Sequence, residues 1–153
     1  MEHIGNRADR RPGRGGAVSV SGAFEGSAGT AAARDLTYRF LTDVQAVHGL
    51  PVDESAMDIV QLVVSELMTN ASKYAPGPSV LALDVEKGAI EVSVWDSNPT
   101  PPVILPPDPT RIGRHGLEIV IKLAHGFAVH RTHLGKRITA TIALTGDPLA
   151  VGL

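Results

Sequence analysis

Glu66, Asn70 and Lys73 follow one another at spacings of four and three in a run that reads as helix, so their side chains rise along one stripe. A carboxylate, a carboxamide and an ammonium stacked this way can orient a water or hydroxyl, hold a hard cation and meet a phosphate oxygen. Magnesium takes oxygen ligands and keeps several waters, so one Asn oxygen plus phosphate oxygens suffices for it. The same stripe also reads as a solvated helix face with an i,i+4 pair, and the helix alone does not decide between them.

Two further segments carry candidate chemistry. Asp96 ends a strand pattern and opens a proline-rich stretch. There it can accept a hydrogen bond from an exocyclic amine such as that of adenine, or serve simply as a turn residue. Downstream, Ile112-Gly113-Arg114-His115-Gly116-Leu117 leads into a helix. Glycines there let backbone N–H groups point into a concavity, the helix N-terminus favours an anion, and Arg114 adds a forked cation. A plain hinge is the alternative reading. His115 and His130 fit no zinc spacing and read as loop and strand residues.

The elements that must position these groups follow from periodicity. Ala17 to Phe24 alternates as a first, edge strand. Ala31 to His48 is a helix with Leu36, Phe40, Leu41, Val44 and Val47 on its apolar face, ended by Gly49-Leu50-Pro51. Asp53 is placed to cap a second helix from Glu54 to about Tyr74, whose stripe of Val60, Val63, Val64, Leu67 and Ala71 faces the core. Val80 to Val85 and Ile90 to Asp96 form a hairpin with one face buried. A third helix runs from Gly116 to His125, capped by Gly126. Phe127 to His133, a Leu134-Gly135 turn, and Lys136 to Leu144 make a second hairpin, with Ile138, Ala140, Ile142 and Leu144 on one side. Between Asp96 and Gly116 lie six prolines, which forbid regular structure; a structureless segment of this length is usually functional. The expected fold class is α+β: a mixed, mostly antiparallel sheet with helices on one face.

Bulk properties narrow the function. A chain of 153 residues is the size of one domain, and a formal charge of -2 does not suit coating nucleic acid or an anionic membrane. With no cysteine, disulfides, thiolate metal sites and cysteine nucleophiles are excluded. No apolar run reaches the roughly 18 residues of a membrane span, and residues 1–16 carry arginines and glycines without the apolar core of a secretory signal. The reading is a cytoplasmic domain over 17–146, with a disordered tail at 1–16 and a second tail at 147–153.

Taken together and in order, SELMTNASKYA, VWDSNPTPP, GRHGLEIV and GKRITATIAL resemble the GHKL ATP-binding superfamily. Within it they are most similar to the small stand-alone bacterial anti-sigma-factor serine/threonine kinases. The resemblance spans about Ala31 to Leu144 and implies a Bergerat-type sandwich that binds ATP with Mg2+. It implies that Asn70 ligates the magnesium, that Glu66 is the general base, and that Lys73 meets phosphate. Asp96 would read the adenine amine, and Gly113, Arg114, His115, Gly116 and Leu117 would wrap the phosphates beneath a lid over Ser97 to His115. The first glycine box is ordinarily Asp-x-Gly; here Asn98 takes the glycine position, which Asn can fill because it tolerates left-handed backbone. Members commonly place a Thr after the Gly-Lys of the last hairpin, near the base; here Arg137 follows, with Thr139 and Thr141 beyond it as the candidates. The implied activity is phosphorylation of an anti-sigma-factor antagonist, with a sigma factor as a further partner, regulating transcription by partner switching. Pairing of two copies and the absence of direct nucleic-acid and membrane contacts complete the expectation. The alternative is a non-catalytic ATP-binding module that docks to a partner protein.

Overall fold

The structure is a computed structural model that describes residues 7–10, 18–74, 77–97 and 116–146. Its elements in chain order are β1 (Arg7–Arg10), β2 (Val18–Phe24), α1 (Gly26–Ala46), α2 (Glu54–Tyr74), β3 (Ser79–Glu86), β4 (Ala89–Asp96), α3 (Gly116–Leu123), β5 (Gly126–Thr132) and β6 (Gly135–Ala143). The strands form one six-stranded sheet in the order β1-β2-β3-β4-β6-β5. Each pairing is antiparallel, so the expected mixed character is absent among the described strands.

The two-residue period of the strands divides the sheet into a helix side and an open side. Val18, Val20, Leu81, Leu83, Val85, Ile90, Val92, Val94, Ile138, Ala140 and Ile142 are buried on the helix side. They pack with Leu36, Phe40, Leu41 and Val44 of α1, with Val60, Val63, Val64, Leu67, Met68 and Ala71 of α2, and with Leu117 and Val120 of α3. This is the α+β two-layer sandwich that the hydrophobic pattern implies, built from aliphatic side chains with Phe40 the one aromatic in the buried core among the described residues.

The β3–β4 hairpin turns at Lys87-Gly88, with φ of 54° and 78°; two consecutive positive φ values suit the right-handed twist of the flanking strands. Asp53 ties the start of α2 to the end of the last strand. Its N–H donates to Leu144 O (2.8 Å), and its carboxylate accepts the Gly146 N–H (2.8 Å).

Several boundaries differ from expectation for identifiable reasons. Residues 7–10, read as part of a disordered tail, form edge strand β1; edge pairing uses backbone groups and needs no apolar pattern, so periodicity does not register it. The rest of that tail, and the tail at 147–153, lie outside the described residues. Helix α1 begins at Gly26, because Gly29 lets its first turn pack directly on Phe24, with a Cβ there only 3.0 Å from the Phe24 carbonyl carbon. Val47 lies past the end of α1 and is 63% exposed, so it does not extend the apolar face. Gly126 begins β5 rather than capping α3, since its register partner Thr141 draws it into the sheet. The second hairpin turns at His133-Leu134, held by Thr132 Oγ1, which accepts the N–H groups of Leu134 (3.2 Å) and Gly135 (3.1 Å).

Candidate functional site

Helix α2 presents its apolar stripe to the sheet and turns the neighbouring stripe of Glu66, Asn70 and Lys73 away from it. Both follow from 3.6 residues per turn, since Val63, Leu67 and Ala71 are buried while Glu66 and Asn70 are half-buried and Lys73 exposed. The partner of this stripe is the beginning of α3. A Cβ placed on Gly116 would stand 2.7 Å from Glu66 Oε1, so the carboxylate rests against the first residue of that helix. One turn further along, Asn70 Nδ2 is buried and has no hydrogen-bond partner among the described residues. Buried amide donors are ordinarily paired, so this carboxamide stands outside the fold's own hydrogen-bond network.

Asp96 lies on the helix side at the end of β4, in register with Lys136 at the start of β6. Lys136 Nζ is 2.9 Å from Oδ2 and 3.1 Å from Oδ1 of Asp96, and the two side chains are 1% and 2% exposed. The crossing is tight: a Cβ on Gly135 would collide with the Asp96 carbonyl oxygen and lie 3.0 Å from Ser97 Cα. Sequence reading singled out Asp96 and took Gly135 and Lys136 only as part of the last hairpin, because only the β4–β6 register, 40 residues apart, brings them to Asp96.

Thr139 requires a correction. It alternates with Ile138 and Ala140, so it points to the open side, where its hydroxyl lies 3.0 Å from Ser93 Oγ. Trp95 and Arg137 share that side, the guanidinium stacking 5.5 Å from the ring centroid. Thr139 is therefore across the sheet from Glu66, Asn70 and Asp96. Leu117, expected near phosphate, has its side chain buried in the core, which leaves its backbone as the group available to a ligand. Asn98, Gly113, Arg114 and His115 lie outside the described residues, as does most of the expected lid.

The donor set suits a hard cation held partly by a ligand. Among the described residues no group of three or more His, Cys, Asp or Glu is placed to hold a metal, so a metal at the α2 stripe would depend on Asn70 and on ligand oxygens. The partnerless Asn70 amide and the side-chain-free surface at Gly116 fit a phosphate-bearing ligand with such an ion. No described helix is long and apolar enough to cross a membrane.

Two solved structures resemble this chain. The RsbU and RsbW domains of Rv1364c from Mycobacterium tuberculosis superpose with a TM-score of 0.60 at 18% identity, covering 82% of this chain and 32% of that one. This chain therefore spans about a third of that solved chain. The histidine kinase domain of the blue-light-activated histidine kinase EL346 from Erythrobacter litoralis gives a TM-score of 0.46 at 21% identity, over 75% of this chain and 62% of that one. Among curated proteins nothing matches significantly. The family profile of the histidine kinase-like ATPase domain matches residues 28–142, from the first turns of α1 to near the end of β6 and including all of α2, β4 and α3. The chain belongs to the histidine kinase-like ATPase domain family, within the GHKL group of ATP-binding folds.

Proposed function

We propose that this domain, over residues 17–146, is an ATP-dependent serine/threonine protein kinase of the anti-sigma-factor type. The observation that carries the reading is the placement of the Glu66 carboxylate against the first residue of α3, with the partnerless amide of Asn70 one turn away on the same stripe. Phosphoryl transfer asks a protein mainly for positioning and charge neutralisation, and a base, a metal ligand and a helix N-terminus side by side supply these.

In this reading Asn70 Oδ1 ligates a magnesium ion that, when bound, neutralises charge on the ATP phosphates. Glu66 orients the attacking serine or threonine hydroxyl and accepts its proton. Lys73 and Arg114 meet phosphate oxygens, and the backbone from Gly113 to Leu117 lines them, with His115 and Asn98 at the lid. Asp96 accepts from the adenine amine while Lys136 holds its carboxylate in place. The protein substrate is an antagonist that competes for a sigma factor, as the RsbW domain fold suggests, and a cytoplasmic location follows from the use of ATP. Self-association is part of the same proposal.

One observation favours a second reading. The Asp96 carboxylate is already engaged by a buried ammonium, which suits a docking module whose nucleotide site is vestigial or only regulatory.

Incubating the protein with γ-labelled ATP, magnesium and candidate antagonist proteins from the same genome separates these. Acid-stable, alkali-labile label on the antagonist, lost with Glu66→Gln, supports the kinase. A complex without label supports the docking module, and acid-labile label would point to histidine phosphorylation instead.

A further inference from the structure

We propose that Gly116 is a positioning residue for Glu66, its missing side chain being the seat on which the Glu66 carboxylate rests against α3. The proposal builds on the reading of Glu66 as the base that takes the hydroxyl proton.

Two kinds of glycine occur among the described residues. Gly26, Gly49, Gly77, Gly88 and Gly146 have positive φ, and a Cβ on any of them would meet nothing within 4 Å, so they are glycine for backbone conformation. Gly116 is of the other kind. It is absent from the positive-φ set, and its Cβ would lie 2.7 Å from Glu66 Oε1, 3.7 Å from Cδ and 4.0 Å from Cβ of the same side chain. Position 116 therefore excludes a side chain for space alone, and the space is taken by the carboxylate. An ordinary contact begins near 3.4 Å, so a methyl group at 116 displaces the oxygen by several tenths of an ångström. The oxygen is the far end of a flexible side chain, so the carboxylate yields while the backbone stays.

The seat also has the right electrostatics. The first N–H groups of an α-helix lack intrahelical partners and carry partial positive charge, which favours a carboxylate beside them. The first turn of α3 thus sets where Glu66 stands when the hydroxyl oxygen attacks. As the new O–Pγ bond forms and the bond from Pγ to the ADP oxygen breaks, the hydroxyl proton passes to Glu66 and ADP leaves with the electron pair. A carboxylate moved off its seat misses that proton, although Ala at 116 retains the backbone N–H that a phosphate would use.

The test begins with the nucleotide-free, isotope-labelled full chain. Glu66→Gln is expected to shift the amide resonances of Gly116, Leu117 and Glu118, and to shift them less in a Gly116→Ala background. The kinetic arm uses hydrolysis of γ-labelled ATP by water. Gly116→Ala is expected to lower kcat at saturating Mg-ATP about 10- to 100-fold, the scale expected for a misplaced catalytic group. Glu66→Asp, shorter by one methylene, should slow the native protein yet raise the rate of Gly116→Ala, because the shorter arm clears the added methyl. Unmoved amides at 116–118 would overturn the seat, and so would losses that merely add in the double variant. If the amides shift but the native protein binds no Mg-ATP, the seat stands and the kinase reading fails.

Discussion

Asp96 and Lys136 form a two-oxygen ion pair across β4 and β6, with Nζ 2.9 Å from one carboxylate oxygen and 3.1 Å from the other, and almost no solvent on either side chain. The pair closes the end of the helix-side core where the proline-rich segment departs. A buried ion pair of this kind is weak evidence for stability, because both charges lose their hydration; its clearer consequence is geometric, in that Asp96 is held in one orientation. If Asp96 reads a base, Lys136 decides how its carboxylate is presented.

Removing one partner leaves the other charged and buried. Lys136→Met is expected to destabilise the fold by about 3–5 kcal/mol, and Asp96→Asn combined with Lys136→Met to recover much of that loss. Urea denaturation of the two variants measures both. Equal losses in the two would show that the methionine, not the orphaned charge, is the cause.

Gly135→Ala is expected to be more damaging to the fold than Gly116→Ala. At 135 the added carbon meets the backbone of Asp96 and Ser97, which cannot swing aside, whereas at 116 it meets the end of a side chain. Overpacking against rigid neighbours costs about 1–3 kcal/mol. Thermal melts of the two variants should rank them in that order.

Thr139→Val is expected to leave nucleotide affinity unchanged and to cost about 1 kcal/mol through the lost hydrogen bond with Ser93. Calorimetry and denaturation on one sample test both parts. A clear fall in affinity would mean that the open side of the sheet takes part in binding.

Thr139 also illustrates what was legible in the sequence. The alternation that puts Ile138, Ala140 and Ile142 in the core already requires residue 139 to face the other way, and the family pattern drew attention to it in spite of that period. Helix α2 was legible to its ends, Glu54 and Tyr74, because its apolar stripe, its acidic first turn at Glu54 and the Pro76-Gly77-Pro78 run that follows it agree. The Glu66–Asn70 stripe was visible from spacing, but its partner was not, since nothing local to α2 says that α3 begins against it. The pairing of Lys136 with Asp96 was hidden for a similar reason: the two lie 40 residues apart and become neighbours only through strand order. Edge strand β1, with the sequence RADR, carries no apolar alternation to find.

The central claim is that the α2 stripe binds ATP through a magnesium ion held by Asn70, and calorimetric titration with ATP tests it most directly, run with magnesium, with EDTA, and on Asn70→Ala. The account predicts binding that requires magnesium and disappears in Asn70→Ala, while that variant melts at or above the native temperature because a partnerless buried amide has been removed. Equal affinity in the native protein and Asn70→Ala, or no binding by the native protein at millimolar ATP, would contradict it.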